Sequence, residues 1–176
     1  MKMSLPSVVP LAYIEDLYTM ASSTPTGTFV EVGVYKGGTA SYLTHLAEIQ
    51  GRKIYLYDTF EGIPFSDEGD FHVVGDFNDT SYEDVKSALP YASVVKGIFP
   101  GSAIPMESVA FAHIDCDQYR SIIESVNYLL PLMVKGGVIW FDDVDAHLPN
   151  TLKAIREMFG DKYVYSKTGK VYTVIL

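Results

Sequence analysis

Two rhythms of apolar residues alternate along the chain. Short runs rich in β-branched and aromatic residues predict strands, and longer stretches with apolar positions three and four apart predict helices. Residues 8–22 read as a first short helix, with Leu11, Ile14, Leu17 and Tyr18 on one side, followed by the turn-rich linker 22–27. The stretch Phe29-Val30-Glu31-Val32-Gly33-Val34-Tyr35-Lys36-Gly37-Gly38-Thr39 then reads as strand, glycine turn and helix start, and helical spacing continues over 40–50 up to Gly51. Residues 53–58 predict a second strand ending in Asp58. The acidic, glycine-dotted stretch 65–79 has little periodicity and reads as a mobile loop over or beside a site.

Thr80-Ser81-Tyr82-Glu83 has the spacing of a capping box for a helix that ends before Pro90. Further strands are expected at 92–97, 110–115 and 138–143, with a helix at 119–133 whose regular part ends at Pro131 and whose stop is marked by Gly136 and Gly137, and another at 151–159. The tail, 163–165 and 170–176, reads as two strands joined by a short turn. Strand and helix alternate until that hairpin. The fold class is therefore α/β: a single doubly wound, Rossmann-like sheet, mostly parallel, with an antiparallel pair at one edge. One domain is expected, with residues 1–27 as N-terminal helix and linker and 28–176 as core.

Composition narrows the partners. The 176 residues are 48 % hydrophobic, with no apolar run of the roughly 18 residues a membrane span requires. Lys2 is followed by Pro6, Pro10 and the acids Glu15 and Asp16, a poor match to a secretory signal. The single cysteine, Cys116, forms no internal disulfide and fits a reducing, cytoplasmic setting. A net charge of -9 argues against a nucleic-acid footprint. The tyrosine-bearing first helix offers a surface for a homodimer.

Acids mark where chemistry belongs. Glu31 closes the first strand where a dinucleotide fold carries Gly-x-Gly-x-x-Gly; a carboxylate there repels a phosphate and welcomes a cation. Asp58 closes the second strand, Asp115 and Asp117 the fourth, and Asp142, Asp143 and Asp145 the fifth. Such a gathering raises the pKa of its members unless a cation offsets it, and an all-oxygen set favours Mg²⁺ before Ca²⁺. A solvated rim of turn acids is the bland alternative. Period two puts His113 on the strand face of Asp115, as a core histidine or one orienting a carboxylate. His147, beyond the acid pair, is a second candidate base. Cys116 sits between two acids, which blunts its nucleophilicity, and no Gly-x-Ser-x-Gly elbow is present.

Phe29 to Gly38, Tyr57-Asp58-Thr59-Phe60-Glu61-Gly62-Ile63-Pro64, His113-Ile114-Asp115-Cys116-Asp117-Gln118-Tyr119 and Gly136-Gly137-Val138-Ile139-Trp140-Phe141-Asp142-Asp143 together resemble the macrocin O-methyltransferase family. The resemblance implies class I enzymes that use S-adenosylmethionine and Mg²⁺ to methylate hydroxyls of sugars or other small polar acceptors. It implies that Glu31, Gly33, Gly37, Gly38 and Thr39 hold the methionine end of the cofactor and that Asp58 accepts from the ribose hydroxyls. It further implies Asp115, Asp142 and Asp143 as metal ligands, with Asp115, Asp117 and His147 as the catalytic candidates. Relatives are longer at the N-terminus, so an open acceptor site is expected, and some carry a histidine where this chain has Gln118. Two other readings stay open: a nicotinamide-dependent oxidoreductase, opposed by the missing Gly-x-Gly-x-x-Gly, and a non-catalytic binding module, opposed by the retained acids.

Overall fold

The computed structural model describes residues 5–142, 144 and 148–176. Seven strands form one sheet in the order β3-β2-β1-β4-β5-β7-β6. They are β1 (Thr28–Val32), β2 (Ile54–Asp58), β3 (Ser93–Lys96), β4 (Val109–Ile114), β5 (Met133–Phe141), β6 (Val164–Tyr165) and β7 (Val171–Val174). The first five pair in parallel, and β7 runs antiparallel to both β5 and β6. Helices α1 (Leu11–Ser22), α2 (Gly38–Gln50), α3 (Tyr82–Ala88), α4 (Tyr119–Leu129) and α5 (Pro149–Phe159) cover the two faces. The chain order reverses between β1 and β4, which opens a crevice at the carboxyl ends of those strands.

Alternation along each strand sorts the core into two layers. Phe29, Leu56, Phe111 and Trp140 point to the side of α1, α2 and α3, where Leu17, Leu43, Leu46 and Val85 meet them. Val30, Val32, Ile114, Ile139 and Phe141 point to the other, against Ile122, Val126 and Leu129 of α4 and Ala154 and Ile155 of α5. The α4 residues are four and three apart and share one face. β1 and β4 are buried along their whole length, as expected of central parallel strands. Each large aliphatic or aromatic side chain so buried contributes about 1.5–3 kcal/mol.

Several boundaries differ from the sequence reading, each for a local reason. The first helix starts at Leu11, because Pro10 takes an extended ψ of 143° and leaves Val8 and Val9 outside it. The cap of α3 is Ser81, whose Oγ accepts from the Asp84 amide at 3.3 Å, so the expected box on Thr80 and Glu83 moves one residue on. Gly136 and Gly137 do not stop a helix. Pro131 has already ended α4 in a 3-10 turn, Leu130–Leu132, and the glycines lie inside β5, where Gly136 N–H donates to the Ile175 carbonyl at 2.7 Å. The β4–β5 register shifts at this place.

The two central strands meet most closely at Gly33. Its φ is +91°, and a Cβ there would lie 1.7 Å from the Asp115 carbonyl oxygen. Only glycine lets β1 turn while the strand end of β4 stays beside it. Gly33→Ala is expected to cost about 3 kcal/mol in a urea unfolding series. Gly51→Ala is the control: its φ is +64° but nothing lies within 4 Å, so about 1 kcal/mol is expected.

Candidate active site

A cavity of about 320 Å³ opens at the carboxyl ends of β1, β2, β4 and β5. Its polar floor carries Asp58, Asp115, Asp117, Asp142 and Lys170, and its walls are apolar and aromatic, among them Tyr13, Tyr57, Phe77 and Phe99. The volume lies in the range of small-molecule sites. Burial pushes the Tyr57 phenol well above its usual range, which keeps the hydroxyl protonated.

Asp58 holds the cavity mouth in shape. Its Oδ2 accepts from the amides of Val34 and Tyr35 at 2.7 and 2.8 Å, and its Oδ1 from the Phe60 amide at 2.6 Å. One carboxylate thus organises the glycine turn after β1 and the loop after β2. Of its roughly four lone-pair positions, one is left for a ligand hydroxyl.

Glu31, Gly38 and Thr39 stand behind the wall rather than on it. Glu31 is fully buried; its Oε1 accepts from Thr39 Oγ1 at 2.5 Å and lies 3.0 Å from His113 Nδ1. This triad ties β1 to β4 and to the first turn of α2. Glu31 Oε2 and His113 Nε2 are buried without a hydrogen-bond partner among the described residues. Gly37 and Gly38 face the N-terminal segment, at Leu5 and Ser7, while Gly33 and Tyr35 face the cavity. Val8, Val9 and Pro10 of the same segment line the cavity.

The expected acids do converge. Asp115, Asp117 and Asp142 line one cavity, whereas Asp143, Asp145 and His147 lie outside the described residues. Asp117 has φ +58°, a strained backbone for a non-glycine residue of the kind found at functional sites. Among the described residues, Glu31, His113 and Asp115 also bring one potential ligand atom each within 4.8 Å of one another.

Sequence reasoning missed two contributors. His72, from loop 65–79, lies 3.8 Å from Asp117 Oδ1 through Nε2 and 3.3 Å from Asp76 Oδ2 through Nδ1. Lys170, just before β7, donates to Asp142 at the end of the neighbouring β5. Neither carries a local signal, since each is brought in by the chain returning from elsewhere. The loop itself is tied down: Gln118 Nε2 donates to the His72 carbonyl, and Asp70 Oδ1 accepts from the Tyr119 amide and from Asn150. At its end, Tyr35 Oη and Lys36 Nζ both donate to Asp79 at 2.5 Å.

The strand order and the acid-floored cavity at the reversal define a doubly wound α/β protein with a ligand site at its switch point. The sequence profile of the macrocin-O-methyltransferase (TylF) family matches residues 15–170, and the chain belongs to that family. It is 25 % identical over 140 residues to the 8-demethyl-8-(2,3-dimethoxy-alpha-L-rhamnosyl)-tetracenomycin-C 4'-O-methyltransferase of Streptomyces olivaceus, a match covering 66 % of this chain. The chain spans about half, 52 %, of that relative's length. In fold it is similar to the O-methyltransferase NovP, with TM-score 0.82, 22 % identity, and 96 % of this chain and 81 % of that one covered. The calicheamicin methyltransferase CalS11 follows with TM-score 0.77, 20 % identity, and 93 % and 77 % covered.

Two outcomes are expected. Asp58→Ala strands the amides it serves and is expected to cost about 2–3 kcal/mol by urea unfolding, while also weakening ligand binding. The Lys36 ammonium and the Tyr35 hydroxyl hold the Asp79 carboxyl below its usual range. The clamp therefore contributes above the unfolded carboxyl pKa and is lost as pH falls through the lower folded one. The small Tm difference between wild type and Asp79→Asn should be present above about pH 4 and close below it.

Proposed function

We propose that this protein transfers a methyl group from S-adenosylmethionine to a hydroxyl of a sugar or glycoside, assisted by a divalent cation. The observation that carries the reading is the cavity at the switch point, floored by acids and walled by aromatic side chains, in a chain of the macrocin-O-methyltransferase family. The relative from Streptomyces olivaceus, named for a rhamnosyl 4'-O-methylation, supports a sugar-bearing acceptor. Family membership leaves the nicotinamide reading without support.

The residues fit both groups. A sulfonium suits an acidic floor, and Asp58 keeps one lone pair for a ribose hydroxyl beside the Gly33 turn. A cation is accepted at Asp142, where the Lys170 ammonium already stands 3.0 Å from Oδ2. Asp115, Asp142 and Asp143 are the proposed metal ligands. When bound, the cofactor supplies an electrophilic methyl and the metal a Lewis acid that lowers the acceptor hydroxyl pKa. The chain supplies orientation. Glu31, through Thr39 and His113, ties β1 to the helix that follows the glycine turn, and that turn with Asp58 would hold and orient the cofactor. Asp117 would accept the proton of the acceptor hydroxyl, with His147 the second candidate base.

Calorimetric titration with S-adenosylhomocysteine is expected to show binding in wild type, and NAD is expected to show none. Asp117→Asn is expected to keep that binding and lower turnover on a glycoside by about 100-fold. Absence of S-adenosylhomocysteine binding to folded wild-type protein would overturn the reading.

A further inference from the structure

The acid floor faces a cation that the chain itself supplies. Lys170 immediately precedes β7 on the antiparallel side of the sheet. Its Nζ donates to the Asp142 backbone carbonyl at 2.6 Å and to Asp142 Oδ2 at 3.0 Å, and lies 4.8 Å from the centre of the Tyr13 ring. The lysine side chain is 16 % exposed and that of Asp142 is 9 %. Water screens a pair enclosed to this degree only weakly, so its attraction survives ionic strength that would cancel a surface pair. The pair shares its cavity with Asp115 and Asp117.

The two Asp142 atoms that the ammonium engages are a carboxylate oxygen and a carbonyl oxygen, the donor types a hard divalent ion takes. An ammonium against Asp142 Oδ2 opposes a divalent ion on the same oxygen, because like charges at that range repel in a weakly screened site. Lysine suits an exchangeable role. Its charge is compact and rides on a four-carbon stem with free rotation, so it can withdraw without moving the strand that carries it.

We propose that Lys170 is the built-in counter-ion of this site: it holds the cation position at Asp142 in the metal-free protein, must be displaced before a divalent ion binds there, and so sets the affinity of the site for metal. The proposal rests on the metal-assisted reading of the function. It also accounts for how the acids at the ends of β4 and β5 remain together when no metal is bound.

The test is Mn²⁺ titration of the full chain, read by the electron paramagnetic resonance signal of the free ion, on wild type, Lys170→Met, Lys170→Gln and Lys170→Arg. Removing the competing charge is expected to tighten Mn²⁺ binding about tenfold or more in the Met and Gln variants, and the Arg variant should show no such gain. Adding Asp142→Asn to Lys170→Met should abolish the gain. Circular dichroism checks the fold of each variant, and the Gln variant serves if Met does not fold. Mn²⁺ binding no tighter than wild type in both Met and Gln variants, or absent from all, would overturn the proposal. S-adenosylhomocysteine titration of the same samples separates the two claims. Retained donor binding with no gain in Mn²⁺ affinity sinks the Lys170 role alone, while a wild type that binds no donor sinks the methyl-transfer reading.

Discussion

Glu31 is sealed inside the sheet, and a carboxylate in that position costs several kcal/mol unless donors meet it. Thr39 and His113 meet it from two directions, one from the first turn of α2 and one from near the end of β4. Satisfying one charge therefore sets three elements relative to each other. The strand after which the chain must turn, the neighbour it turns beside and the helix it turns into all share this contact. Beside this contact Gly33 closely approaches the Asp115 carbonyl, and both residues line the cavity.

Farther out, the same problem of charge is solved in other ways. Asp58 is compensated by backbone amides, which makes it a rigid part of the wall with one lone pair to spare. Asp142 is compensated by the Lys170 ammonium at the start of the neighbouring β7. Asp79, on the exposed rim, is compensated by Lys36 and Tyr35, and there water screens the pair so that it steers the loop more than it stabilises the fold. The acids are thus graded, from one locked into the backbone to one held by a lysine side chain.

Some exposed apolar residues lie beside the site. Val8, Phe71, Val73, Val74 and Ile98 are exposed, and Val8 and Ile98 also line the cavity. Apolar surface beside an acid floor suits a ligand with a polar reacting end and an apolar body.

Periodicity and turn chemistry made the alternation of strand and helix, the parallel sheet with its antiparallel edge, the glycine turn and the acids at strand ends readable from the chain alone. These are local properties: spacing sets which face a side chain takes, and glycine or proline sets where an element stops. Where two local signals competed, the reading slipped. Gly136 and Gly137 look like a helix stop, yet the helix ends at Pro131, as that proline predicts, and the tail strand claims the glycines as partners. Glu31 reads as a ligand-facing acid at a strand end, yet its partner His113 lies 82 residues on, and pairing across the sheet turned it inward. His72 and Lys170 reach the acids only because a long loop folds over α4 and because β7 inserts beside β5. The sequence by itself determined which groups exist and the end of the sheet at which most of the acids gather. Which of them meet, and which charge answers which, was decided by strand order and register, because those contacts join residues far apart in the chain, where no local spacing constrains them.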